Sequence, residues 1–206
     1  LYASLGLSMA KKSNRELWAD YLKKKASSPK TVPNELDQSS LRGSFAGVVL
    51  GIDPSLRGAG FALIRYKKGS AKLLDRVTLK LAKKYTLMDC LGEIAKQVES
   101  LANSHSIDHV AVEQTIYVQN FQTAQIMGAA KGAAIAPLAM RGLDVFEYAP
   151  LRIKQAIVGN GRASKQQVAK MVGRFLNVDF EEAYDESDAS AVALCHAFTW
   201  RDGTQR

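Results

Sequence analysis

Four acidic residues occur where metal-assisted phosphate chemistry would need them. Asp53 ends the apolar, β-branched run FAGVVLGID, and Glu113 ends the similar run IDHVAVE. Asp185 and Asp188 lie three residues apart at the predicted start of a helix, so both side chains share one helix face. Mg²⁺ prefers carboxylate oxygens, and two such ions roughly 4 Å apart can serve both sides of a phosphoryl displacement. The four acids therefore predict a divalent-cation site suited to phosphodiester hydrolysis.

Each acid also has an ordinary structural explanation. The helix dipole favours acids at a helix start, which would account for Asp185 and Asp188. An Asp at the end of a strand is typical of a turn, which would account for Asp53. The metal hypothesis depends on the acids together, because four of them come from three elements of a protein with a net charge of +8.

Composition narrows the class of protein. The 206 residues include 28 Lys and Arg against 20 Asp and Glu, an excess that favours nucleic acid or an anionic membrane surface as partner. No apolar run approaches the roughly 20 residues that cross a bilayer, so we predict no transmembrane segment. Cys90 and Cys195 lie among apolar neighbours, which predicts small core residues in a reducing compartment rather than a disulfide framework or a zinc site.

Hydrophobic periodicity predicts the elements that would carry the acids to one place. Strands are predicted at 45–53, 59–67, 72–80, 107–113 and 144–148, and helices at 87–101, about 120–141, 164–176 and 185–200. Three hairpin-like strands followed by alternating helices and strands predict an α/β domain with a mixed sheet. If the strands that end in Asp53 and Glu113 are adjacent and parallel, both carboxylates lie at the sheet edge where open α/β sheets bind ligands.

Several short motifs then follow one another in a fixed order. They are Gly51-Ile52-Asp53-Pro54, Val112-Glu113-Gln114, Gly128-x-x-Lys131-Gly132, Phe146-Glu147-Tyr148-Ala149, Lys154-Gln155, Lys165-Gln166-Gln167-Val168 and Asp185-x-x-Asp188-Ala189. From about Val48 to Ala197 the chain resembles the RuvC family of bacterial Holliday-junction resolvases, also called crossover junction endodeoxyribonucleases. The resemblance implies a ribonuclease-H-like, mixed five-stranded sheet flanked by helices.

The resemblance also implies an activity. The expected protein is a homodimer that depends on Mg²⁺ or Mn²⁺, with two ions per active site, and makes paired nicks in junction strands of like polarity. Its catalytic and metal-binding acids would be Asp53, Glu113, Asp185 and Asp188, with Asp53 bridging both ions. Four-way junction DNA and the RuvA and RuvB branch-migration proteins are the implied partners. A DNA substrate implies a cytoplasmic, nucleoid-associated location.

Basic and aromatic residues near these acids are candidate DNA contacts. Lys154 and Lys165 match family lysines that approach DNA near the active site. Lys165 would neutralise the scissile phosphate or assist catalysis, although a plain solvated helix lysine is an equal interpretation. Lys154 and Arg162 would anchor phosphates. Tyr117 would stack on an unpaired base or lie in the core, and Asn120 follows the family pattern after the glutamate.

The chain departs from the family pattern at three places. Ser55 stands where the family usually has Gly, and Ala59-Gly60 stands where Thr-Gly is common. Some relatives insert an aromatic wedge into the junction from the position that Ile116 occupies here, so Ile116 or Tyr117 would take that part.

Residues 1–45 form a basic and flexible N-terminal extension in this interpretation, and residues 46–206 form the RuvC-like nuclease domain. The extension would be either a solvated tail or an arm that adds phosphate contacts. Met9 resembles a natural start, and we assign no function to residues 1–8.

Two further patterns concern assembly and side-chain chemistry. Gly128, Gly132 and Ala136 recur every four residues and predict a smooth helix face, packed either inside one subunit or at the two-fold interface that the resemblance implies. His105, His109 and His196 are interpreted as ordinary structural or surface histidines rather than metal ligands.

Other functions remain open at this stage. A ribonuclease-H-like nuclease that acts on RNA or linear DNA would use the same acids, and a catalytically silent junction-binding protein would keep only the basic surface. An actin-like sugar or acetate kinase is excluded because 206 residues without an internal repeat leave no room for its second lobe.

Overall fold

A computed structural model describes residues 45–115, 120–180 and 184–201 of the chain. Its sheet has five strands in the order β3-β2-β1-β4-β5. The strands are β1 (Gly47–Asp53), β2 (Gly58–Lys67), β3 (Ser70–Lys80), β4 (His109–Glu113) and β5 (Asp144–Tyr148). Strands β1, β2 and β3 pair antiparallel, whereas β4 pairs parallel with both β1 and β5. The predicted mixed five-stranded sheet is therefore confirmed.

Helices cover both faces of this sheet. They are α1 (Leu87–Ser104), α2 (Phe121–Met140), α3 (Pro150–Val158), α4 (Lys165–Leu176) and α5 (Tyr184–Thr199). Side chains alternate along β1, so that Leu50 and Ile52 join the core beneath α1 and α2, while Val49 joins the core beneath α3, α4 and α5. No helix of the described residues is long and apolar enough to cross a membrane.

Helix α3 is the main correction to the predicted elements, because hydrophobic periodicity predicts neither a helix nor a strand at residues 150–158. The helix is only nine residues long and has Pro150 at its first turn. Proline is compatible with that position because the N–H it lacks would have no helical partner there. Two strands also begin later than predicted, at Gly47 rather than Phe45 and at His109 rather than Ile107.

Helix α5 packs unusually close to the sheet. Its residues from Ser187 to Phe198 are almost all buried, and many of them are small. A Cβ atom added to Gly51 would overlap the carbonyl oxygen of Ala189, and one added to Gly60 would overlap that of Asp185. Gly60 is also the register partner of Asp53. The two glycines thus let α5 bring its acids close to the end of β1.

We expect the substitution Gly60→Ala to destabilise the protein. The added methyl group must push α5 away from β2, and overpacking of this kind costs typically about 1–3 kcal/mol. Chemical denaturation followed by circular dichroism measures the change. Gly92→Ala is the matched control, because a Cβ at Gly92 on α1 would meet no neighbour within 4 Å in the part of the chain that the structure describes, and alanine favours a helix. Equal stability of the two variants would contradict the close-packing argument.

Candidate active site

The two strand-ending acids lie side by side at one edge of the sheet. Strand β1 pairs parallel with β4, and Ile52 is in register with Val112, so Asp53 and Glu113 follow at adjacent strand ends. This confirms the sequence-based prediction that parallel pairing would bring the two carboxylates together. Ser55, which stands where the family usually has glycine, accepts a hydrogen bond from the Gly58 N–H at 3.3 Å and thereby shapes the turn after Asp53.

A cavity of about 380 Å³ opens at this edge. It brings together five of the predicted site residues, namely Asp53, Glu113, Lys154, Lys165 and Asp188. The floor and walls add apolar and polar groups that were not predicted, among them Gln114, Thr115, Met127 and Ile153. Asp185 is not part of the lining. It lies at the first turn of α5, where its carboxylate faces Gly58 of β2.

Burial and mutual repulsion disfavour the ionised forms of Asp53 and Glu113. Burial, followed by the negative charges of Glu113 and Asp188, raises the pKa of Asp53 to about 7, although Lys165 opposes the rise. Burial also raises the pKa of Glu113, followed by the charge of Asp188, whereas Lys165 and Lys154 lower it. A cation bound beside these two carboxylates would therefore stabilise their ionised forms.

Lys165 is held against one of the acids. Its Nζ donates to Asp188 Oδ2 at 2.9 Å, and this hydrogen bond, together with the charge of Asp188, raises the pKa of Lys165. The Asp188 side chain is only 16% exposed, whereas that of Lys165 is 65% exposed. The predicted Ser164/Gln167 capping box is present and fixes the start of α4 at Lys165.

The residues present fit a hard divalent cation by the chemistry of their donors. Among the described residues no three His, Cys, Asp or Glu side chains already stand close enough to hold one ion. Mg²⁺ commonly uses only one or two carboxylates and completes its shell with waters and substrate phosphates. Asp53 and Glu113 offer carboxylates of that kind, and their raised pKa values show that positive charge would stabilise their ionised forms.

We expect Asp53→Asn to stabilise the protein at pH 8 without divalent cations. Asp53 has a folded pKa of about 7 against an ordinary 3.8, so its favourable contribution is complete below pH 3.8 and is lost as the pH rises through 7. Above pH 7 the buried charge costs on the order of 2–4 kcal/mol, and asparagine removes that cost.

Thermal unfolding at several pH values measures this effect. The variant should unfold at a higher temperature than the wild type at pH 8 in chelator, and the difference should shrink as the pH falls below 7. Mg²⁺ should raise the melting temperature of the wild type more than that of the variant. A variant less stable than the wild type at pH 8 would contradict the electrostatic argument.

The structure describes only some of the remaining predicted DNA contacts. Lys154 lies on α3 and lines the cavity, and Arg162 is exposed in the loop before α4. Asn120 caps α2, because its Oδ1 accepts a hydrogen bond from the Thr123 N–H at 3.2 Å. The side-chain oxygen of Asn120 is therefore already used in a structural hydrogen bond. Tyr117 and Ile116, the predicted stacking or wedge residues, lie outside the described residues.

A buried polar cluster secures α5 behind the acids. His196 is fully buried, with its Nδ1 2.8 Å from the Tyr148 hydroxyl and its Nε2 2.9 Å from His109 Nδ1. These contacts join α5 to β5 and β4. Burial holds the pKa of His196 at about 3, so the ring stays neutral. The structural interpretation of His196 and His109 is confirmed, and no histidine lines the cavity.

Comparisons with known proteins agree on one family. The family model described as crossover junction endodeoxyribonuclease RuvC matches residues 49–196. The chain is 42% identical over 149 residues to the RuvC of Halorhodospira halophila, covering 72% of this chain and 89% of the relative. It is 35% identical over 151 residues to that of Alkaliphilus metalliredigens, covering 73% and 92%.

A solved structure gives the same result. The structure of T. thermophilus RuvC in complex with Holliday junction substrate has a TM-score of 0.69 and 32% identity, and the match covers 74% of this chain and 93% of that one. Its ribonuclease-H-like resolvase fold confirms the predicted fold class. With these matches along most of its length, the chain belongs to the RuvC family of crossover junction endodeoxyribonucleases.

Proposed function

We propose that this chain is a metal-dependent endodeoxyribonuclease that resolves Holliday junctions by paired nicks in strands of like polarity. The observation that carries the proposal is the convergence of Asp53, Glu113 and Asp188 with Lys154 and Lys165 in one cavity, in a member of the RuvC family. A recombination or repair intermediate is then the substrate.

The acids would hold the ions in this mechanism. Asp53, Glu113 and Asp188 of the cavity, together with Asp185, whose charge acts on Asp53, would hold two Mg²⁺ or Mn²⁺ ions. Such ions supply Lewis acidity and a lowered pKa for bound water. The raised pKa values of Asp53 and Glu113 support this assignment, because a bound cation offsets the repulsion between them.

The basic residues would act on the DNA itself. Lys165 begins α4 and its Nζ donates to Asp188, and its ammonium group would neutralise charge on the scissile phosphate. Lys154 on the cavity wall and the exposed Arg162 would anchor neighbouring phosphates without reading sequence. Asn120 and Tyr117 complete the proposed DNA contacts, with Tyr117 stacking on an unpaired base.

A homodimer would place two such sites on one junction. The small residues Gly128, Gly132 and Ala136 on α2 are exposed, and none of the described residues packs within 4 Å of a Cβ at either glycine. Phe121 and Met140, at the two ends of the helix, are 75% and 88% exposed. The exposure of this helix face supports the explanation that the small residues lie at a dimer interface, rather than the alternative that they pack inside one subunit.

We expect Gly132→Arg to convert a dimer into a monomer, because the long charged side chain blocks close approach of a second α2 helix. Sedimentation velocity measures the mass in solution. Gly92→Arg is the control, since Gly92 is likewise exposed on α1 with open space around it, and it should remain dimeric. A dimeric Gly132→Arg protein would place the interface elsewhere.

Family membership also supports RuvA and RuvB as partners and residues 46–206 as the nuclease domain. We propose that residues 1–45 form a basic N-terminal extension outside this domain. A chromosomal junction substrate would place the protein at the nucleoid, in the cytoplasm.

Substrate choice is tested by nicking rates on a four-way junction and on a linear duplex of the same sequence, both with Mg²⁺. We expect nicks in the junction and essentially none in the duplex. Equal cutting of duplex DNA or RNA would favour a related nuclease with a different substrate. Tight junction binding without nicks, under Mg²⁺ or Mn²⁺, would leave a catalytically silent binding protein.

A further inference from the structure

The loop between α3 and α4 separates the two cavity lysines. Lys154 lies in the middle of α3, Lys165 begins α4, and the loop 159–164 between the two helices has the sequence GNGRAS. Two glycines and four other small or polar residues leave such a segment with high conformational freedom. The conformation of this loop nevertheless determines where α4 begins and therefore where Lys165 lies.

One side chain ties this loop to α3 at two points. Gln155 Nε2 donates to the carbonyl oxygen of Gly159 at 2.9 Å, and Gln155 Oε1 accepts from the Gly161 N–H at 3.2 Å. The backbone carbonyl of Gln155 also accepts from the Gly159 N–H at 3.0 Å, which closes the helix in a left-handed glycine cap. Both ends of the amide are thus used on the loop.

The far half of the loop is held by its own contacts. Asn160 Oδ1 accepts from the Arg162 N–H at 3.0 Å, and Ala163 is buried in the core beneath α3, α4 and α5. The capping box then begins at Ser164. The Gln155 side chain therefore adds two hydrogen bonds to the glycines that connect α3 to this fixed second half.

We propose that Gln155 is a positioning residue that fixes the 159–164 loop so that Lys165 stays at Asp188 over the cavity. It acts through Lys165 and makes no contact with DNA. The inference rests on the proposed nuclease function, since Lys165 matters there for cleavage. The adjacent Lys154 already faces the cavity from α3, so the glutamine links the elements that carry both lysines.

Two readouts test the proposal. In Gln155→Ala the Gly161 amide should exchange with solvent about tenfold faster than in the wild type, because it loses its acceptor. At saturating protein the junction should be nicked about tenfold more slowly, while the dissociation constant for the junction stays within about twofold. Gln155→Glu keeps the acceptor for Gly161 but loses the donor to Gly159, so it should protect the Gly161 amide and lose less activity.

A double-mutant cycle separates positioning from a general structural effect. Adding Gln155→Ala to Lys165→Ala should slow cleavage less than about twofold further, because the glutamine acts through the missing lysine. Gln97→Ala on α1 is the matched control and should change neither readout. Unchanged exchange at Gly161, or fully multiplicative effects in the double variant, would overturn the proposal. A wild type that nicks no junction would instead contradict the nuclease function, and exchange measured on the protein alone would still decide whether Gln155 clamps the loop.

Discussion

The Asp53→Asn variant should bind a four-way junction as the wild type does and nick it at least about a thousandfold more slowly. Asp53 ends β1, and the charges of Glu113, Asp188 and Asp185 all act on it. Asparagine keeps the size of the side chain but loses the charge that would hold a cation between those acids. Single-turnover cleavage with Mg²⁺, beside a binding titration, separates the two effects.

Asp75→Asn is a suitable control for this substitution. Asp75 lies on β3 away from the cavity, and its Oδ1 accepts from the Arg76 N–H, a contact that asparagine can keep. The control should cleave at the wild-type rate. Comparable losses of cleavage rate in Asp75→Asn and Asp53→Asn would mean that the change of charge, rather than the position of Asp53 in the site, governs the rate.

The Lys165→Ala variant should nick about a hundredfold more slowly. The substitution removes the cation nearest to the proposed scissile phosphate and leaves Asp188 without its partner at 2.9 Å. It should also move the rise of activity with pH to higher pH, because Lys165 lowers the pKa of both Asp53 and Glu113. A pH series of single-turnover rates measures both changes.

Lys170→Ala provides the comparison on the same helix. Lys170 is exposed on α4 and does not line the cavity, yet its removal changes the net charge by the same amount. It should weaken junction binding slightly at low salt and leave the cleavage rate and its pH dependence unchanged. If Lys170→Ala and Lys165→Ala change the cleavage rate and its pH dependence alike, then Lys165 contributes only general electrostatic attraction.

Much of this site follows from local sequence patterns. The β-branched runs before Asp53 and Glu113 predict buried strands, and parallel pairing then brings the two acids to one edge. The Ser164/Gln167 capping box likewise predicts where α4 begins. These features are predictable because each depends on residues that are close together in the chain.

Other features depend on long-range packing and have no local signal. The contact between Lys165 and Asp188 joins residues 23 positions apart through the packing of α4 on α5. Met127 reaches the cavity only because of the side on which α2 crosses the sheet. Gly60 looks like an ordinary strand glycine until the close approach of α5 shows what a side chain there would meet.

The most direct test of the assigned chemistry is cleavage of a labelled four-way junction with Mg²⁺ by the wild type and by Glu113→Gln. We predict symmetric, paired nicks in strands of like polarity by the wild type, and no nicks but unchanged junction binding by the variant. Nicking by Glu113→Gln at the wild-type rate would contradict the role assigned to the acids at this edge of the sheet.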